Sequence, residues 1–158
     1  MRLWHQYLIP YLDNKRLIGQ HRECCALRGK GWGRKHSTVN YVFDHHASLL
    51  IQYHSLVMNE CSMRGFKIDK KWLDFKYRGK NMPAFTFEEM NVLVYFENLK
   101  CATLDKDLNY YSTKFIYPEH NPKYLLECLE NLKSKNAQLI NGKCVEELII
   151  MLNLNGVF

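Results

Sequence analysis

The residues best suited to chemistry lie in one stretch, Leu17-Ile18-Gly19-Gln20-His21-Arg22-Glu23-Cys24-Cys25, which sets a single carboxylate among cations. On a helix, Arg16, Gln20 and Glu23 share one side by i, i+4, i+7 spacing, and Lys15, Gly19, Arg22 and Ala26 share the neighbouring side. Glu23 is expected to keep its charge, because nearby positive charge favours the ionised form. Such a group is a candidate for acid–base work or for an intrahelical ion pair on a solvated face, and these nine residues leave both open. Gly19 inside a helix costs about 1 kcal/mol relative to alanine, so a packing or access reason is expected there.

The elements that must position this stretch can be read outward from it. Residues 1–12 carry Trp4, Tyr7, Leu8, Ile9, Tyr11 and Leu12 around Pro10, which predicts a short packed arm that fixes the chain terminus. Asp13 or Asn14 is a fitting N-cap for a helix over about 14–28 that buries Leu17, Ile18, Cys24 and Cys25, with His21 a further candidate. A second helix is expected from about 45 to 64, with Leu49, Leu50, Tyr53, Leu56, Val57, Glu60 and Cys61 on its apolar spacing and Gly65 ending it. Thr86-Phe87-Glu88-Glu89 has capping-box spacing and predicts a helix over about 87–100. Asn121-Pro122 opens another, striped by Tyr124, Leu125, Cys128, Leu129 and Leu132, and a last helix covers about 143–153 after Asn141-Gly142. Mainly α follows: a single compact domain of three to five helices with long basic connecting loops. The expected division is a domain over 1–118, which holds the most basic stretches, and a C-terminal helical extension over 119–158 packed on it.

Charge points to the partner. The chain has 158 residues, 47% hydrophobic, and a net charge of +6. Residues 1–80 hold 15 Lys/Arg against 6 Asp/Glu, and residues 81–158 hold 7 against 10. A basic half implies a polyanion, with nucleic acid the default. In the segment 28–36, Lys30, Arg34, Lys35 and His36 surround Trp32 between alternate glycines, so cations for phosphates sit beside a ring that can stack on a base. A basic surface loop with Trp32 folded onto the core has the same composition. The spacing is that of neither a P-loop nor G-x-G-x-x-G. Residues 64–80 are the most basic stretch and interleave Trp72, Phe75 and Tyr77. No run approaches the roughly 18 apolar residues of a membrane span, and the opening is not patterned as a secretory signal. Six cysteines without a C-x-x-C pair are expected to be reduced thiols in a cytoplasmic protein. His45, His46 and His54 have no H-E-x-x-H context, so no metal is expected there.

Four signatures occur in order: Leu17-Ile18-Gly19-Gln20-His21-Arg22-Glu23, Arg34-Lys35-His36, Cys61-Ser62-Met63-Arg64-Gly65-Phe66-Lys67-Ile68 and Phe75-Lys76-Tyr77-Arg78-Gly79-Lys80-Asn81-Met82-Pro83. Together they resemble the pyrimidine-dimer DNA glycosylase family, the phage-type endonuclease V. Met1-Arg2-Leu3-Trp4-His5 and Tyr117-Pro118-Glu119-His120 are similar to a cellular subgroup of it. The resemblance covers residues 1–83. It implies a cofactor-free, α-helical repair glycosylase with abasic-site lyase activity, acting on damaged duplex DNA as a monomer. In such enzymes the N-terminal amine attacks C1′ and forms an imine, and a helix glutamate assists β-elimination.

Carried onto this chain, Met1 and Glu23 are the catalytic pair. Arg2, Arg16, Gln20, Arg22, Lys30, Trp32, Arg34, Lys35, His36, Arg78 and Lys80 are expected to face DNA. An α-amine has an ordinary pKa near 8, so a usable neutral fraction exists at pH 7. The phage-type enzyme exposes a small second residue after its methionine is removed. Position 2 here is arginine, too bulky for that removal, so the nucleophile is assigned to Met1 itself. A non-catalytic nucleic-acid-binding module on the same scaffold, and a protein-docking role for the acidic C-terminal half, are the alternatives.

Overall fold

The computed structural model describes residues 1–29, 36–90 and 115–154. Among them, helices and 3₁₀ turns are the regular elements, and no strand occurs. The arm carries a 3₁₀ turn, Gln6–Tyr11, with Pro10 inside it. Helix α1 is Asn14–Arg28, α2 is Ala47–Met63, and α3 is described over Phe87–Met90. Helix α4 is Pro122–Ser134 and α5 is Val145–Leu154. Most of the predicted 87–100 helix, and the tyrosine-rich stretch after it, lie outside the described residues.

Local chemistry explains the boundaries. Asp13 caps α1, its carboxylate accepting from the Arg16 amide at 2.7 Å. The second helix opens two residues later than predicted, because the His46 ring caps it by accepting from the Ser48 amide. At its other end the Phe66 amide donates to Cys61 O and the Gly65 amide to Ser62 O. Gly65 takes φ +80°, the left-handed closure that glycine makes without strain. The capping box forms in both directions, Thr86 N to Glu89 Oε2 and Glu89 N to Thr86 Oγ1, each 3.2 Å. Asn121 caps α4 with Pro122 in its first turn.

α1 packs on α2, the arm's turn packs on α2, and α4 packs on α5. One apolar core joins them: Leu3, Leu8 and Leu12 of the arm, Leu17 and Leu27 of α1, Tyr53 and Val57 of α2, Leu125 and Leu129 of α4, and Leu148 of α5. Each fully buried leucine contributes about 2 kcal/mol of apolar transfer. Of the side chains expected inside from α1, Leu17 and Cys24 are buried, whereas Ile18, His21 and Cys25 are only half-buried. The expected boundary at 118/119 falls within Tyr117-Pro118-Glu119-His120, where His120 is tied directly to the arm. His5 Nε2 donates to His120 O at 2.8 Å, and the Gln6 amide donates to His120 Nδ1 at 3.2 Å.

Candidate active site

The first four residues are anchored one by one. Met1 O accepts from the Thr38 hydroxyl at 2.6 Å, and Arg2 O accepts from Gln20 Nε2 at 3.1 Å. Leu3 O accepts from the Tyr124 hydroxyl at 2.6 Å, and the Trp4 amide donates to Gln20 Oε1 at 2.7 Å. The chain's start is thus held over one face of α1, beside Glu23. Gln20 also donates to Glu23 Oε2 at 2.9 Å, and the Tyr53 hydroxyl lies 2.9 Å from Gln20 Oε1. Met1, Arg2, Trp4, Glu23, Thr38, Asn131 and Lys135 line one pocket of about 280 Å³.

Burial pushes the Glu23 carboxyl above its ordinary range. The Arg2 amide, the positive N-terminus and the Gln20 amide oppose that rise without cancelling it. The arginines expected to favour the ionised form of Glu23 are therefore not the dominant influence: Arg22 is exposed, and partial burial outweighs the nearby positive charge. A carboxyl raised in this way holds a proton more readily than an exposed one, which suits a group that takes and returns protons.

The residues expected to face DNA separate into four groups. Arg22 and Lys80 are exposed and His36 is half-buried. Gln20, 1% exposed, and Arg78, 9% exposed, offer almost no surface to a phosphate, which corrects their assignment as contacts. Gln20 serves the internal bonds above. Arg78 donates from Nε to Arg28 O at 2.9 Å and stacks on Phe85. Arg16 is paired with Asp13, and Arg2 is paired with Glu127 while lying over the rings of Trp4 and Tyr124. Lys30, Trp32, Arg34 and Lys35 lie outside the described residues.

Three internal latches escaped the sequence reading. Arg28, 1% exposed, donates to Trp72 O, Asp74 O and Tyr77 O at 2.6–2.9 Å. Arg64 pairs with Glu60 at 2.9 Å and donates to Leu12 O and Pro10 O. His120, buried between His5 and Tyr41, accepts at Nδ1 from Gln6, so its Nε2 carries the proton toward the Tyr41 hydroxyl.

His21, Cys25 and His54 bring one ligand atom each within 4.8 Å of the others. Arg28 Nη1 lies 3.2 Å from His54 Nδ1, and a guanidinium only donates. His54 therefore carries its proton on Nε2, which points at His21 Nδ1 at 2.8 Å. A cation there would have to displace that proton and sit beside Arg28, so the trio fits a hydrogen-bonded chain better than a metal centre.

The arrangement defines a class: a helical protein whose own chain start and one half-buried carboxylate face a small polar pocket. Residues 1–74 match the family model described as pyrimidine dimer DNA glycosylase. That match supports the family resemblance and, at the level of class, a pyrimidine-dimer DNA glycosylase role with DNA as substrate. No curated protein and no solved structure gave a match. No helix among the described residues is long and apolar enough to cross a membrane.

Proposed function

We propose that the protein is a DNA glycosylase with abasic-site lyase activity on damaged duplex DNA, with pyrimidine dimers as the lesion and Met1 and Glu23 as the reacting pair. The observation that carries this reading is the shared pocket of the chain start and the raised Glu23 carboxyl. The neutral Met1 amine bonds to C1′ while the C1′–N glycosidic bond breaks and its electron pair leaves with the base. Glu23 takes a proton from the new ammonium and gives it to O4′ as the C1′–O4′ bond opens, leaving a C1′=N iminium. The carboxylate then removes a C2′ proton, the C3′–O bond breaks with its pair on the phosphate, and water releases the amine. Arg22, Lys80, His36 and the segment 30–35 are the proposed phosphate contacts, with Arg2 at the pocket wall. The chemistry requires an amine free of formyl or acetyl groups. The protein acts as a cytoplasmic monomer in this reading.

Borohydride reduction during reaction with a duplex holding one abasic site should trap a covalent adduct on the native chain and none on an N-terminally acetylated one. Salt-dependent DNA binding with no adduct would select the non-catalytic binding module instead.

A further inference from the structure

Part of the lining of the pocket that holds Glu23 comes from the C-terminal end of α4, beyond the residues that match the family model. Asn131 and the helix-capping Lys135 line it. Along α4 the spacing Tyr124, Cys128, Asn131, Lys135 forms one stripe. Its first part holds the arm through the Tyr124–Leu3 bond, with Glu127 gripping Arg2 beside it. Its last part faces the pocket. Asn131 Oδ1 is buried and has no hydrogen-bond partner among the described residues. A buried acceptor left this way is costly, which marks it as a place where a ligand donor is expected. Lys135 is exposed and forms no ion pair among the described residues.

We propose that Asn131 and Lys135 recognise the sugar–phosphate unit of an abasic nucleotide, Asn131 Oδ1 accepting from the sugar hydroxyl and Lys135 pairing with an adjacent phosphate. This rests on the lyase reading above. An intact deoxyribose within a strand has both oxygens esterified and a base on C1′, so it carries no hydroxyl. Loss of the base creates one, on C1′ in the closed sugar or on O4′ when the ring is open. An acceptor with no internal donor therefore distinguishes the abasic sugar from an intact one. A pocket of about 280 Å³ lies at the small end of ligand sites and is of a size to take one sugar with its phosphate.

The test uses the full chain and three duplexes at one salt concentration. One is intact. One holds a tetrahydrofuran site, which has no hydroxyl. One holds a borohydride-reduced abasic site, which has hydroxyls and cannot form an imine. The native protein should bind the reduced site about five-fold tighter than tetrahydrofuran, the equivalent of one neutral hydrogen bond. Asn131→Ala should bind both alike and be no less resistant to urea, since it removes an unpartnered acceptor. Asn131→Asp, which keeps an oxygen acceptor, should keep the preference while weakening all DNA binding. Lys135→Ala, an exposed change, should weaken binding to all three duplexes and reduce the slope of log affinity against log salt by about 0.9. An unchanged preference in Asn131→Ala, or an unchanged slope in Lys135→Ala, overturns the proposal. If the native chain traps no adduct on a reactive abasic site, the lyase reading fails separately, whatever these binding ratios show.

Discussion

Gln20 makes the sharpest demand on the reasoning, because one buried amide holds both the arm and the carboxylate. Its Oε1 takes the Trp4 amide and faces the Tyr53 hydroxyl, while its Nε2 donates to Arg2 O and Glu23 Oε2. Gln20→Met keeps length and removes every polar partner. The contacts among neutral groups are worth about 1 kcal/mol each, and the one to the carboxylate about 1.5–3 kcal/mol. Tyr53 retains Trp4 O and Glu23 retains the Arg2 amide, and methionine regains apolar contact, so the expected net loss is about 3 kcal/mol.

With a urea slope of about 1–3 kcal/mol per molar, the unfolding midpoint should fall by at least about 1 M. The Gln20 donor also holds Glu23 down, so its removal should raise that carboxyl further and move the acidic limb of adduct formation to higher pH. Chemical unfolding and single-turnover trapping between pH 5 and 8 provide both readings. A midpoint within about 0.3 M of the native value, well below the shift that slope implies, together with an unmoved pH limb would refute the hub.

Gly19 inside α1 and Gly29, which caps its C-terminus, should respond in opposite directions. A Cβ at Gly19 meets nothing within 4 Å, so Gly19→Ala should gain about 1 kcal/mol in urea, and weakened DNA binding in that variant would mark backbone access as its purpose. A Cβ at Gly29 meets Arg78 O at 3.2 Å, so Gly29→Ala should lose about 1 kcal/mol, and an unchanged midpoint would refute the close approach. Burial lowers His5 from 6.5 to about 4 and His120 well below its ordinary value. The unfolded chain then binds these protons first. Stability should hold above pH 6.5 and fall by about 1.4 kcal/mol per pH unit for His5 alone down to about pH 4. Raised Glu23 works weakly in the opposite sense, and equal urea midpoints at pH 7 and 5 would count against the buried pair.

Helix ends were legible in the sequence because they are local events. Asp13, Thr86 with Glu89, Asn121 with Pro122, and Gly65 each act within four residues of where they stand, so spacing alone reveals them. The site was legible only through resemblance, since nothing in the periodicity places residue 1 beside residue 23. Sequence patterns send polar side chains such as Gln20 and Arg78 outward, whereas in the fold these two meet backbone groups contributed from far along the chain. The His21–His54 contact spans 33 positions, and only the packing of α1 on α2 creates it. Asn131 and Lys135 sit on an ordinary amphipathic helix, and their polarity takes on meaning only where that helix ends at a pocket.

The basic half also has to be divided. Arg28, Arg64 and Arg78 are held inside by carbonyls, while Lys15, Lys67, Lys70, Lys71 and Lys80 are exposed. The split follows from chemistry. A guanidinium is a planar fork of five donors that can serve several carbonyls at once, and an ammonium is a strongly hydrated point charge. Arg28→Lys separates the two roles because it preserves charge and removes the fork. Two or three carbonyls of the 72–77 segment would lose their donor, for an expected cost of about 3 kcal/mol in urea. The salt dependence of DNA binding should not change, since the number of phosphate contacts is untouched. Lys80→Ala should do the reverse, leaving the midpoint within about 0.5 kcal/mol and lowering the salt slope by about 0.9. If Arg28→Lys flattens the salt slope while leaving stability intact, Arg28 faces phosphate, and the latch between α1 and the 72–77 segment is refuted.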